Sequence, residues 1–207
     1  VQHNPADLIY LMGGKERFIS YLDETLRTPL SKSKWEFYST LPDQTGGVGQ
    51  FSMANEPSLH IPYLYNYAGA PWRTQRLVRK LIDTWFRPDL MGVPGDEDGG
   101  GLSAFVVFSM MGIYPITPGL PIYNIGTPFF PRVTLQLSSG RTFVIEAKET
   151  SATNKYIQSA ELNGKPLDRA WLRHSELAAG GRLVLVMGPR PNKAWGAKTP
   201  PPSAERI

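Results

Sequence analysis

The 207-residue chain carries 22 Lys and Arg against 18 Asp and Glu, for a net charge of +4 and a pI near 9.3. It contains no cysteine, which excludes disulfides and thiolate metal sites, and its basic residues are scattered rather than striped, which gives nucleic acid no footprint. No apolar run reaches the roughly 18 residues of a membrane span, and the opening VQHNPADL has neither the basic nor the apolar region of a signal peptide.

An apolar content of 41% supports a real core, in one large domain or two small ones. The chain opens on Val1 rather than Met, which reads as a processed or excised polypeptide. Ala6 to Met12 predicts a short apolar turn ended by Gly13-Gly14. Lys15 to Leu26 places Phe18, Ile19, Leu22 and Leu26 on one helical face, closed by Thr28-Pro29. Ser31 to Gly49 is rich in breakers and reads as a long loop. In QFSMANEPSLHIPYLYNYAGAPW, Pro57 suits the first turn of a helix running to about Tyr67, in which Pro62 must share that first turn or kink the helix, with Tyr63, Leu64 and Tyr67 on one side. A second helix, Pro71 to Phe86, repeats Leu77, Leu81 and Trp85, and the pair forms an antiparallel hairpin.

Next comes MGVPGDEDGGGLSAFVVFSMMGIYP, Met91 to Pro115. Asp96, Glu97 and Asp98 stand between Gly95 and Gly99 to Gly101, and an apolar run follows from Leu102 to Met111. With Ser103 as N-cap and Gly112 past the end, this predicts a helix apolar all round and hence buried. The spacing of Asp96 and Asp98 puts both on one side of an extended loop. An acidic solvated loop and a functional site both fit, and the attachment to a buried helix favours the site.

After Pro115 short alternating strands take over at 122–125, 132–137, 142–147, 157–162 and 182–187, with hairpin turns at Ser139-Gly140 and Asn163-Gly164. A helical turn near Ser175 to Ala179 interrupts them. The pattern predicts a small antiparallel sandwich. The fold class is thus α+β, with a helical part over residues 1–118, a β domain over 119–194, and a disordered Pro-rich tail over 195–207.

Histidine pairs, a Ser-His-Asp spacing and a P-loop are all missing from the sequence. Carboxylate chemistry remains. Asp96, Asp98 and Glu56, with Asn55, are hard oxygen donors suited to calcium, although Asn55 is equally placed to be a simple helix cap. Paired acids also activate water in inverting glycosidases.

The runs ANEPSLHIPYLYNYAGAPWRTQ, GDEDGGGLSAFVVFSMMGIYPITPG and YNIGTPFF, followed by TFVIEAKETSATNKYIQSAELNGKPL, resemble family 92 of the glycoside hydrolases from Val1 to about Lys193. Its members are inverting, calcium-dependent exo-acting α-mannosidases, many specific for α-1,2 linkages. They have an N-terminal β-sandwich followed by an (α/α)6 barrel. The resemblance implies that the helical part here is the late portion of such a barrel. Position by position it implies that Asn55 and Glu56 hold calcium, that Glu56 and His60 meet the mannose, and that Asp98 is the general base with Asp96 as partner or alternative. Ala54 stands where a Gly is usual, and Leu59 where the first of two histidines is common.

The family's general-acid Glu lies in a motif ahead of the segment resembling VQHNPADL, and that motif is not in this sequence. The resemblance therefore implies the C-terminal portion of a longer mannosidase, inactive alone and acting on mannose-containing glycans outside the cytoplasm, periplasmic or secreted. Its missing N-terminal part, or a second copy, would cover apolar surface on the helices Lys15 to Leu26 and Pro71 to Phe86. A carbohydrate-binding or interaction module without catalysis is the alternative. Neither a nucleic-acid partner nor a membrane span is expected.

Overall fold

The computed structural model describes residues 2–29, 47–48, 50–90 and 92–204. Helix α1 (Pro5–Leu11) is capped by Asn4, whose Oδ1 accepts the Asp7 N–H at 3.1 Å. Helix α2 (Lys15–Thr25) buries Phe18 and Leu22 on the expected face. Residues 31–46 and 49 of the expected loop lie outside the described residues. At its end β1 (Gly47–Val48) and β2 (Phe51–Ser52) pair as a short antiparallel ribbon.

The helix expected from Pro57 to Tyr67 is broken. Two 3-10 turns, Glu56–Ser58 and Ile61–Tyr63, precede the single turn of α3 (Leu64–Tyr67). Pro57 fits a first turn, but Pro62, five residues on, lacks the N–H that would bond back to Ser58, so a continuous i to i−4 ladder cannot run past it. Helix α4 (Pro71–Trp85) buries Leu77, Val78, Leu81 and Ile82 and turns Arg76, Lys80 and Asp83 outward. Helix α5 (Gly101–Met111) corrects a second expectation. It buries only Leu102, Phe105 and Ser109, while Val107 is 57% exposed, so it is a one-sided helix despite its apolar sequence. Gly112 ends it at φ +92°, where a Cβ would also strike Pro128.

The β half contains β3 (Ile113–Tyr114), β4 (Ile122–Ile125), β5 (Arg132–Gln136), β6 (Thr142–Lys148), β7 (Tyr156–Leu162), β8 (Lys165–Pro166), β9 (Trp171–Arg173) and β10 (Gly181–Gly188), with α6 (His174–Ala178) before the last strand. Among the described residues they form a sheet ordered β5-β6-β10-β7-β8 and another ordered β3-β4-β9. Both sheets contribute to one core, in which Ile125 and Leu172 of the smaller meet Phe143, Ile157, Leu183 and Leu185 of the larger. The sandwich is not wholly antiparallel. After β8, β9 and α6 the chain returns as β10 between β7 and β6, antiparallel to the former and parallel to the latter.

The helical and β halves meet across buried polar groups. Asn66, with no exposed surface, donates from Nδ2 to Asn124 Oδ1 at 3.2 Å, to the Ile125 carbonyl at 3.1 Å and to the Ala170 carbonyl at 3.3 Å. Gln75 Oε1 accepts the Ile157 N–H at 3.1 Å, and Arg79 donates to the Pro128 carbonyl while covering the ring of Phe129. The tail is also ordered as far as residue 204, against the expectation of disorder. Trp195 and Pro201 are buried, Thr199 accepts from the Trp171 indole at 3.2 Å, and Ser203 and Ala204 bond the backbone of Ala6 and His3. Proline-rich backbone has few N–H groups to satisfy and packs extended without a ladder. The last three residues lie outside the described ones. Apolar surface is exposed at Tyr21 on α2 and lines a groove between the end of α4 and α5, with Ile82, Phe86, Val107 and Met110 on its walls.

Candidate active site

The site is assembled from two short segments held together by a tyrosine. Tyr63 is fully buried, stacks on Tyr114 at 5.1 Å and donates its hydroxyl to Ser109 Oγ at 2.8 Å. This ties the turn bearing Asn55 and Glu56 to helix α5, and so to the acidic loop in front of it. Burial pushes the Tyr63 hydroxyl pKa well up, so it stays a donor at all working pH values.

The acidic loop separates its own carboxylates. Asp98, Gly99 and Gly100 all have positive φ, at +47°, +70° and +106°. Asp tolerates the left-handed region better than most side chains, and the glycines take it without strain. Before this reversal, Glu97 Oε1 accepts the Ser103 N–H at 2.8 Å. The hydrogen bonds from the Ser103 hydroxyl and amide hold its carboxyl below the usual range. Ser103 is therefore the third residue of α5 and receives the cap rather than supplying it. An acid ahead of a glycine-led helix start, where the dipole favours negative charge, is the signal that marks Glu97.

Asp98 is exposed and turns to Glu56 instead, near enough for its carboxyl to act on that of Glu56. Glu56 is half-buried and lies against the first turn of α5, so close that a Cβ on Gly101 would meet its Cγ at 2.9 Å. Burial, then the contact with and charge of Asp98, then the charge of Glu97, raise the Glu56 carboxyl above its ordinary range. Its Oε1 is buried with no hydrogen-bond partner.

Asn55 is extended at φ −141° and its side chain makes no capping hydrogen bond, so the simple cap is not its role. His60 Nδ1 meets Gln2 Nε2 at 3.1 Å, and burial pushes its pKa down to about 4, which leaves a neutral imidazole at physiological pH. Asp96 is exposed and is not drawn into the Glu56–Asp98 contact. The structure thus brings Glu56 and Asp98 together at the start of α5, with Asn55 adjacent in the chain, while Glu97 turns to the Ser103 amide and Asp96 stays outside the pair.

The arrangement suits a hard cation as one half of a site. Two carboxyls in contact repel when both ionise, and a buried oxygen without a donor is costly, so a divalent ion offsets both. Among the described residues no group of three or more acids and histidines converges on one point. Calcium takes six to eight oxygens, so Glu56, Asp98 and Asn55 would supply only part of its shell.

The sequence profile of the glycosyl hydrolase family 92 catalytic domain matches residues 1–189. An uncharacterized secreted glycosidase of Arthroderma benhamiae is 32% identical over 199 residues, covering 95% of this chain and 23% of that protein. A family 92 α-mannosidase from Bacteroides thetaiotaomicron, solved with mannoimidazole, superposes with a TM-score of 0.87 at 30% identity, over 98% of this chain and 26% of its own. An inverting family 92 mannosidase from the same organism superposes at 0.82 with 40% identity, over 96% and 27%. The chain thus spans about a quarter of the length of these relatives. Profile, sequence and three-dimensional likeness agree over nearly every residue described, and the chain belongs to glycosyl hydrolase family 92.

Proposed function

We propose that this chain carries part of the active site of an inverting, calcium-dependent exo-α-mannosidase that cleaves mannose-containing glycans, α-1,2 linkages among them. The observation that carries the reading is the Glu56–Asp98 carboxyl pair at the start of α5, with a buried, unpartnered Glu56 oxygen beside it. Asp98 is the general base, since it is exposed to water and held by a fixed turn, and Asp96, outside the pair, is the alternative. Glu56 and Asn55 hold calcium, which when bound would grip sugar hydroxyls and favour a flattened ring. His60, neutral and anchored at Nδ1, offers its other ring nitrogen to a hydroxyl of the mannose.

An inverting glycosidase needs a second carboxyl about 6.5–9.5 Å from the base to protonate the leaving oxygen. We assign that acid to the remainder of a longer protein, in which α1 to α5 complete an (α/α)6 barrel. The 207-residue chain alone is then without activity. The kinship with a secreted glycosidase supports action outside the cytoplasm.

Asp98→Asn in the full-length enzyme should lower kcat by about 10²- to 10⁴-fold with KM little changed, the usual worth of a general base. Asp96→Asn should cost far less. Retention of more than about a tenth of the activity by Asp98→Asn would overturn the base assignment. Calcium added to the chelated protein should raise its unfolding temperature, and Glu56→Gln should abolish that rise.

A further inference from the structure

A second concave site lies away from the acid pair, between the end of α2 and the outer face of α4. It encloses about 350 Å³ and is walled by Asp23, Arg27, Tyr65, Arg73, Arg76 and Lys80 over a floor of two leucines. Four cations face one carboxylate.

That carboxylate is already fully engaged. Arg73 Nη1 donates to both oxygens of Asp23, and the Tyr65 hydroxyl donates to Oδ1 at 2.8 Å. Arg27, Arg76 and Lys80 have no acidic partner among the described residues. Arg73, Arg76 and Lys80 are spaced i, i+3 and i+7 on α4, so they form a single stripe whose like charges destabilise an isolated helix. Arg73 is used by its pairing with Asp23, but the exposed Arg76 and Lys80 have no core-packing role among the described residues.

The cations are also oriented. Arg27 Nε is anchored on the Asp23 carbonyl at 3.0 Å, and no described residue accepts from its terminal N–H groups. The guanidinium groups of Arg73 and Arg76 lie over Trp72 at 4.7 and 5.6 Å. A stacked guanidinium loses little freedom when its edge donates to a ligand. The half-buried Asp23–Arg73–Tyr65 brace sets the distance between α2 and α4, so the pocket exists before anything enters it.

We propose that this cavity is an oxyanion site, in which Arg27, Arg76 and Lys80 bind a phosphate or sulfate group. Planar forks and an ammonium, brought to one cavity by the turn after α2 and by α4, match a tetrahedral group with several acceptor oxygens, which accepts from all three at once. The group arrives either as the free ion or as a monoester on a sugar.

The test is calorimetric titration of the full-length protein with inorganic phosphate, sulfate and a hexose 6-phosphate, with ionic strength held constant by chloride. Saturable binding is expected, at least tenfold weaker in Arg76→Ala/Lys80→Ala. Both side chains are exposed, so that variant should keep the wild-type circular dichroism and unfolding midpoint. Tighter binding of the hexose phosphate than of phosphate assigns the ester, and equal affinity assigns the free ion; either supports the site. Non-saturable heats, or equal affinity in wild type and double variant, overturn it. No glycoside hydrolysis is measured, so the result stands apart from the mannosidase reading.

Discussion

Replacing Asn66 should do more harm than its single amide suggests. Its Nδ2 carries two protons and serves three buried acceptors, Asn124 Oδ1 and the carbonyls of Ile125 and Ala170. Asn66→Ala leaves those oxygens dry, and each buried polar group left unpaired costs about 1–3 kcal/mol. With two protons lost, the expected destabilisation is about 2–5 kcal/mol, a large share of the stability of a typical domain. Urea unfolding followed by circular dichroism and by tryptophan fluorescence should shift together, because the amide joins the helical half to β4 and the start of β9. Asn66→Asp sharpens the test, since it keeps the shape but faces three acceptors with a carboxyl. Its folded pKa is then raised above the ordinary value of about 3.9. The folded state holds the proton longer, so stability falls as pH rises above about 4 and is recovered at lower pH. A loss under about 1 kcal/mol for Asn66→Ala, or a pH-independent deficit for Asn66→Asp, would refute the reasoning.

His60 should titrate near 4 by NMR, and because its folded pKa lies below the usual 6.5 its contribution to stability is present above 6.5 and lost as pH falls towards 4; a midpoint near 6.5 would mean that the ring is not desolvated. Removing residues 199–207 breaks the bonds made by Thr199, Ser203 and Ala204 and uncovers Trp171. That should cost roughly 2 kcal/mol and redden the fluorescence, and an unchanged midpoint would show the tail to be idle. Glu97→Ala should speed amide exchange at Gly101 to Ser103 while Glu97→Gln restores most of the protection; equal protection in all three proteins would remove Glu97 from the cap.

The sequence was most legible where structure is local. Strands β4 to β7 fall within a residue of the alternating runs, since Asn163 and Gly164 at φ +51° and +77° supply the turn that fixes the β7–β8 hairpin. Strand β9 was invisible because three residues show no alternation and their partner is β4, far back in the chain. The direction of β10 likewise depends on which gap it enters, not on its own residues. Helix α5 misled through composition: Ala104 and Val107 are apolar yet face outward, so hydrophobicity alone marked no stripe. At the site, Glu56 and Asp98 were nominated by chemistry and resemblance, but only the left-handed backbone at residue 98 separates Asp98 from Asp96. Glu97, passed over in the sequence, proves to be the acid that secures the helix.

The position of β10 carries a consequence for how the molecule is made. It is the last strand in the described chain and yet lies at the centre of its sheet, with β6 on one side and β7 on the other. During synthesis β5 with β6, and β7 with β8, can form only as separate hairpins with open edges, until residues 181–188 emerge and join them. Such edges are where unfinished chains pair with the wrong neighbour. The β half is therefore exposed to aggregation through most of its translation, and a stall just short of Gly181 would leave it in its most vulnerable form.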